Sequence, residues 1–219
     1  MIHHVLTLTS PSFHALTERA RPHLSHNCEL TVIECDEPAD NQFGQAGFNR
    51  VCFAKVDAIL EKLHAMPELD WLLYTDADVL FFRPACEIIR NARHIAAGQS
   101  LPMVAQHDPE SGPCAGFVVM QNTEDVRDLW REVASYRNDG YNDQNVLCAL
   151  AKSRIGLLPS ELVSSWGNTV GGVWTPSEPR AVCVPKDCAA WHLNYTVGIA
   201  NKMAMAERVI ATQRPVLTN

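Results

Sequence analysis

The stretch WLLYT, Trp71–Thr75, carries no charge at any of its five positions and then ends in two aspartates, Asp76 and Asp78. A strand with one face in water alternates apolar and polar residues. A strand without alternation is buried on both faces, which happens chiefly where helices cover both sides of a parallel sheet. The preceding segment agrees. Phe53, Val56, Leu60 and Leu63 recur at helical spacing and predict an amphipathic helix over about residues 48–65. Earlier still, IHHVLTL (Ile2–Leu8) reads as a strand. The following SPS offers Ser10 as N-cap and Pro11 at the first helical position of a helix running to about Leu24. ELTVIEC (Glu29–Cys35) reads as a second strand, and the polar Asp36–Gly47 as a loop. Strand, helix, strand, helix, strand is the opening of an α/β fold whose sheet is mostly parallel and flanked by helices through right-handed crossovers.

Shorter elements follow. VLFF after the aspartates reads as a strand, and a short helix is expected around Cys86–Ala92. LPMVA (Leu101–Ala105) and CAGFVVMQ (Cys114–Gln121) read as strands. NTEDVRDLWREVASY is a strongly signalled helix. Asn122 or Thr123 caps it, Glu124 and Asp125 favour the positive end of its dipole, and Val126, Leu129, Trp130 and Val133 share a face. NDQNVLCALA (Asn142–Ala151) opens another helix. IGLLP, ELVSS and AVCVP read as short strands, and residues 197–212 as a final helix.

A chain of 219 residues that is 47% hydrophobic can bury one substantial core. Without repeats or a linker, residues 1–219 are expected to form a single domain with a first half of about 1–82 and a second of about 83–219. The net charge of −7 and the lack of a basic stripe argue against nucleic acid as partner. No apolar run approaches the length of a transmembrane segment. The start, MIHHVLTLTS, lacks the basic and apolar regions of a signal peptide, so a soluble cytoplasmic protein is expected. The eight cysteines are scattered and form no CxxC pair, which suits reduced thiols rather than disulfides or structural zinc.

The two aspartates are expected where an open α/β sheet binds ligands, outside the carboxyl end of a central strand. Two ionised carboxylates about 4 Å apart repel by about 4 kcal/mol at an effective dielectric near 20, unless one is protonated or a cation lies between them. Hard oxygen ligands suit Mg2+ or Mn2+, which commonly share their coordination with substrate phosphates. An alternative is that the residues merely start a turn. Two enzyme classes use such a motif. DADVLF resembles the nucleophile motif of haloacid-dehalogenase-type phosphohydrolases, in which Asp76 would attack phosphorus. That family carries its motif on an early strand and a second acidic pair late in the chain, and neither feature is present here.

The other class is supported along most of the chain. VLTLTSPSFHAL, FAKVDAILEKL, LLYTDADVLFFRP, GPCAGFVVMQNTEDVRDLW, YNDQNVLCAL, LLPSELVSS and WHLNYTVGIANK occur in the order of the GT-A fold, from about Val5 to Lys202. The set resembles the glycogenin-like nucleotide-diphospho-sugar glycosyltransferases and their D-x-D relatives. The resemblance implies a hexosyltransferase that takes a nucleotide diphosphate sugar, UDP favoured, as donor. It also implies Mn2+ or Mg2+ as cofactor and a hydroxyl of a glycan or other molecule as acceptor. Thr7, Leu8 and Thr9 would hold the nucleobase, and Lys55 and Arg50 would approach donor sugar or phosphate. Asp76, Ala77 and Asp78 would form the D-x-D element, with Asp76 on ribose and metal and Asp78 chelating the metal. His192 would complete the metal site and Lys202 would reach a phosphate. Gly116 would allow close approach of the donor sugar, next to a segment where Cys114 replaces the usual asparagine. Asp143 would face the donor sugar and acceptor as the catalytic carboxylate, supported by Gln144. By itself, Asp143 is equally a good N-cap for its own helix. Asp108 is a second base candidate. Trp166 and Trp174 would stack on a sugar or fill core. A protein that binds a sugar nucleotide without turnover remains the non-enzymatic alternative.

Overall fold

A computed structural model describes residues 2–36, 46–150 and 153–213. Its larger sheet has the order β2-β1-β3-β6-β5-β7, formed by β1 (His3–Thr9), β2 (Glu29–Glu34), β3 (Trp71–Asp76), β5 (Met103–Asp108), β6 (Gly112–Gln121) and β7 (Ile155–Leu158). β2, β1 and β3 pair in parallel, as do β5 and β7, while β6 runs against both of its neighbours. The sheet is therefore mostly parallel with one reversed strand. The chain leaves β1 for β2 on one side and returns as β3 on the other, so the carboxyl ends of β1 and β3 flank a topological switch point.

β3 is covered on both faces, as its composition predicts. Leu72 and Tyr74 point into a core built with Phe53, Val56, Ile59 and Leu63 of α2 (Ala46–Ala65) and Leu129, Trp130 and Val133 of α4 (Glu124–Ser135). Trp71 and Leu73 point into the opposite core with Leu24 of α1 (His14–Ser25) and Ile88, Ile89 and Ala92 of α3 (Ala85–Gln99). Fully burying one such side chain contributes about 1.5–3 kcal/mol, so the double-sided burial of β3 holds it firmly in the sheet.

A second sheet, β4-β9-β8, has β4 (Val79–Phe81) antiparallel to β9 (Ala190–His192) and β8 (Val163–Ser165) parallel to β9. It packs on a cluster of Trp166, Trp174, Trp191, Leu80 and Leu193 that is closed by Met205 and Val209 of α7 (Ile199–Gln213). The short helices α5 (Asp143–Leu150) and α6 (Trp166–Thr169) complete the list of elements.

Several sequence expectations need revision. The chain enters α1 through a 3-10 turn at Pro11–Phe13, and the Ser10 side chain makes no capping bond. Of the two cap candidates for α4, Thr123 is the one used, accepting from Val126 N at 3.4 Å. α3 is longer than the short helix expected, because Ala96 continues its apolar stripe one turn beyond Ala92 before Ser100 ends the helix in a left-handed conformation. AVCVP forms no strand. Val182 and Val184 pack into the tryptophan cluster, and Pro185 has no N–H to offer a ladder. The expected loop at Asp36–Gly47 falls largely on residues 37–45, and the end of the expected helix on Ala151. Both lie outside the described residues. All eight cysteines are free thiols.

Candidate active site

Asp76 is the last residue of β3 and sits in register with Leu8 of β1. Asp78 follows in the turn to β4. Its carbonyl accepts from Leu193 N at 2.9 Å, and the neighbouring Val79 pairs with His192 across the β4–β9 ladder. That ladder brings together groups more than a hundred residues apart in sequence. His192 Nε2 lies 3.2 Å from Asp78 Oδ1. Carboxylate oxygens of Asp76 and Asp78 and a ring nitrogen of His192 all fall within 4.8 Å of one another. The other ring nitrogen, Nδ1, is 2.8 Å from Gln106 Oε1. An amide oxygen only accepts, so this contact holds the hydrogen on Nδ1 and turns Nε2 toward the carboxylates, as outer partners of metal-bound histidines do. Gly116 of β6 closes one wall. A Cβ there would press on the Asp76 carboxylate and come within 2.7 Å of His192 Cε1. Two carboxylates and an imidazole, gathered against the Cα of Gly116, form an oxygen and nitrogen donor set that fits Mn2+ or Mg2+.

The charges are strongly coupled. Burial alone would raise the pKa of Asp78, but Lys202 and His192 hold it well below the usual carboxylate range. Burial alone would lower that of His192, but the Asp78 charge and hydrogen bond outweigh burial and push it up to about 10 while no cation competes.

A second group adjoins the first. Lys55 of α2 is buried, with Nζ 2.6 Å from Asp143 Oδ2 and 3.7 Å from Asp76 Oδ1. It lies over the Tyr74 ring, 5.6 Å from the centroid, and the Tyr74 hydroxyl donates to Asp76 Oδ1 at 2.7 Å. Burial opposes its charge, yet Asp143 and Asp76 raise the Lys55 pKa well above the ordinary lysine value, so it stays an ammonium. Asp143, only 2% exposed, is the first residue of α5. The cap of that helix is Asn142, whose Oδ1 accepts from Asn145 N at 2.8 Å, which leaves the Asp143 carboxylate to face inward. Its Oδ2 meets Lys55 as an ion pair outside hydrogen-bond geometry and has no aligned donor. Gln144 ties α5 to β6, accepting from Ala115 N at 3.2 Å and donating to Ser111 Oγ at 2.7 Å.

The remaining candidates divide. Thr7 and Leu8 are buried in β1 opposite Thr75 and Asp76. Thr9 is buried as well, and its hydroxyl is 2.8 Å from that of Thr17. Ala77 is half-buried in the turn between the aspartates, and Arg50 is exposed on α2. Lys202 makes an ion pair with Asp78 Oδ2 and donates to Leu193 O at 3.0 Å. Asp108 anchors a turn, its Oδ1 accepting from Glu110 N at 3.0 Å, Ser111 N at 2.9 Å and the Tyr195 hydroxyl at 2.9 Å. Trp166 and Trp174 are fully buried and fill core. Two participants went unrecognised in the sequence. Tyr74 looked like one more apolar residue of its strand. Gln106 follows directly on LPMVA, and a glutamine extending an apolar strand was the available signal.

The family model for nucleotide-diphospho-sugar transferases matches residues 15–205. No curated protein matches the sequence at a significant level. Among solved structures, the chain is similar to a glycosyltransferase involved in glycosylation of the major capsid of PBCV-1. The TM-score is 0.62 at 15% identity, over 94% of this chain and 99% of the other. It is also similar to the galactosyltransferase LgtC in complex with donor and acceptor sugar analogues, with a TM-score of 0.56 at 13% identity over 97% and 98%. A third likeness is to apo GlyE of Streptococcus pneumoniae TIGR4, with a TM-score of 0.57 at 13% identity over 95% of this chain and 60% of that one. At such identities these likenesses speak for the fold, and they agree with a family match that spans most of the sequence: the chain belongs to the nucleotide-diphospho-sugar transferase family.

Proposed function

We propose that this enzyme transfers a hexose from a nucleotide diphosphate sugar, UDP-linked by preference, to a hydroxyl of a glycan or other acceptor. The observation that carries the reading is the continuity of the site. Lys55 bridges Asp143 to Asp76, so the carboxylate assigned to sugar chemistry and the cluster assigned to the diphosphate are parts of one array. Asp76, Asp78 and His192 would hold Mn2+ or Mg2+, which supplies Lewis acidity against the charge growing on the departing diphosphate. Thr7, Leu8 and Thr9 would border the nucleobase, with Arg50 and Lys202 directed to phosphate. Gly116, which gives Asp76 and His192 their space, would also allow close approach of the donor sugar. Lys55 gives the Asp143 carboxylate a buried counter-charge. In an inverting reaction Asp143 would take the acceptor proton. In a retaining one it would stabilise the sugar cation or attack it.

The donor falls to residues of about 1–82 and the acceptor to about 83–219, with His192 and Lys202 reaching back to the donor. The free thiols suit a reducing compartment, and we place the enzyme in the cytoplasm. Among the described residues no helix is long and apolar enough to cross a membrane. The family match displaces the phosphohydrolase reading of Asp76. In keeping with this, Asp76 Oδ1 accepts from Tyr74 and faces Lys55, which suits a fixed ligand better than a nucleophile.

The test is a thermal-shift screen of UDP-, GDP- and dTDP-sugars with and without Mn2+. A ligand at 100 times its dissociation constant stabilises by about 2.7 kcal/mol. A metal-dependent shift that Asp78→Ala abolishes is expected, together with slow metal-dependent release of UDP from the donor. No shift with any nucleotide, or a shift that survives Asp78→Ala, would overturn the reading. Binding without any turnover would leave a sugar-nucleotide-binding protein.

A further inference from the structure

Both oxygens of the Asp78 carboxylate are taken. Oδ1 faces His192 Nε2 at 3.2 Å, and Oδ2 is ion-paired with Lys202 Nζ. Asp76 is faced by the other lysine, Lys55, which it shares with Asp143. Three carboxylates thus meet two ammonium groups in the protein alone. Adding a dication would leave an excess of positive charge around Asp78. Adding a diphosphate with the dication would not.

The two lysines are held very differently. Lys55 has two carboxylates and an aromatic face, and its side chain is 8% exposed. Lys202 has one carboxylate and one carbonyl, Leu193 O at 3.0 Å, and its side chain is 16% exposed. It sits in the first turn of α7, where its N–H donates to Gly198 O at 3.0 Å. Gly198 has φ +83°, a conformation that favours glycine. Lys202 is therefore the ammonium at the edge of the site, on a flexible four-carbon stem, and a lysine is a point charge that a phosphate oxygen satisfies as well as a carboxylate does.

We propose that Lys202 is a built-in counter-cation that occupies Asp78 until a divalent cation and a nucleoside diphosphate arrive together, and then passes from the carboxylate to the diphosphate. The inference rests on the donor reading above and adds regulation to it. Lys202 competes with the cation for one carboxylate oxygen, and the diphosphate ends the competition by offering the ammonium another anion. Cation and nucleotide consequently bind cooperatively, each strengthening the other by the same factor.

Mn2+ binding, read from the loss of the free-ion EPR signal, tests this with and without UDP. In the wild type, Mn2+ alone should bind weakly and UDP should tighten it by about tenfold or more, within the usual range of such couplings. Lys202→Met keeps the stem and removes the charge. It should bind Mn2+ alone about tenfold more tightly than wild type, with the effect of UDP correspondingly reduced, whereas Lys202→Arg should retain the wild-type pattern. Lys202→Gln serves the same comparison if the methionine variant does not fold. If UDP and Mn2+ bind the wild type cooperatively while neutral variants bind Mn2+ alone no more tightly, the inference falls and the donor reading stands. If neither wild type nor variants bind Mn2+ with or without UDP, the donor reading falls and takes the inference with it.

Discussion

The two aspartates of the D-A-D turn are only two residues apart, yet their surroundings are opposites. Asp76 ends the strand buried on both faces. Its partners, Tyr74 and Lys55, come from that strand and from a 20-residue helix docked on it. Asp78 lies in the turn that leads into the small sheet, and its partners His192 and Lys202 come from a three-residue strand and the start of the last helix. One carboxylate, 34% exposed, ends a core strand, and the other, 11% exposed, is enclosed by an assembly of short elements. The comparison teaches that one turn can join a carboxylate supported by long core elements to one supported by short elements. Short elements with fewer buried contacts open at lower free energy than core strands do.

The comparison is most exposed to failure at the two lysines. Lys55→Met strands the buried Asp143 carboxylate, and breaking a buried pair in this way costs about 3–5 kcal/mol. Lys202→Met should cost clearly less, because Asp78 keeps His192 and its lysine is nearer to water. Equal losses in chemical denaturation would erase the distinction between the two sides.

Asp78→Ala is expected next in size. It should reduce donor turnover about a thousandfold, since on the proposed reading it removes a ligand to the ion that would stabilise the leaving diphosphate. Turnover in excess Mn2+ measures this, and a loss that high Mn2+ restores would show that the ligand set survives without Asp78.

Gln106→Leu should weaken Mn2+ affinity about 10–100-fold by releasing the imidazole of His192, with little change in nucleotide affinity when metal is absent. EPR titration reads the first and calorimetry the second.

The smallest effect should come from Asn142→Ala, which removes the cap of α5 and should cost about 1 kcal/mol of stability. A much larger loss of turnover than of stability would show that the cap also aims Asp143.

The parts of the site that could be read in the sequence are those whose signal is local. The apolar run before Asp76, the helical spacing that carries Lys55 and the D-Q pair opening a helix each declare themselves within about twenty residues. AVCVP had the composition of a strand and is none, because strand formation needs a partner ladder and Val182 and Val184 found a tryptophan cluster instead. α3 was expected to be short because its apolar stripe is carried on by alanine, a weak hydrophobic signal that matters only once a sheet lies against it. Asp143 could be read as cap or as catalyst; Asn142 takes the cap, and the Asp143 carboxylate pairs with Lys55 instead. Gln106 and Tyr74 passed as strand residues because their partners come from other parts of the fold or from the strand's own end.

By itself the sequence determined the alternation of strands and helices, the burial of β3 and the position of its aspartates at a carboxyl end. These follow from the residue periods of helix and strand and from the cost of exposing apolar surface. Only the tertiary structure decided the reversed direction of β6, the meeting of His192 with Asp78 and the capture of Asp78 by Lys202. The first depends on how β6 pairs with β3 and β5, the others on the β4–β9 ladder and on where α7 docks, and pairing between separate segments leaves no period in either one.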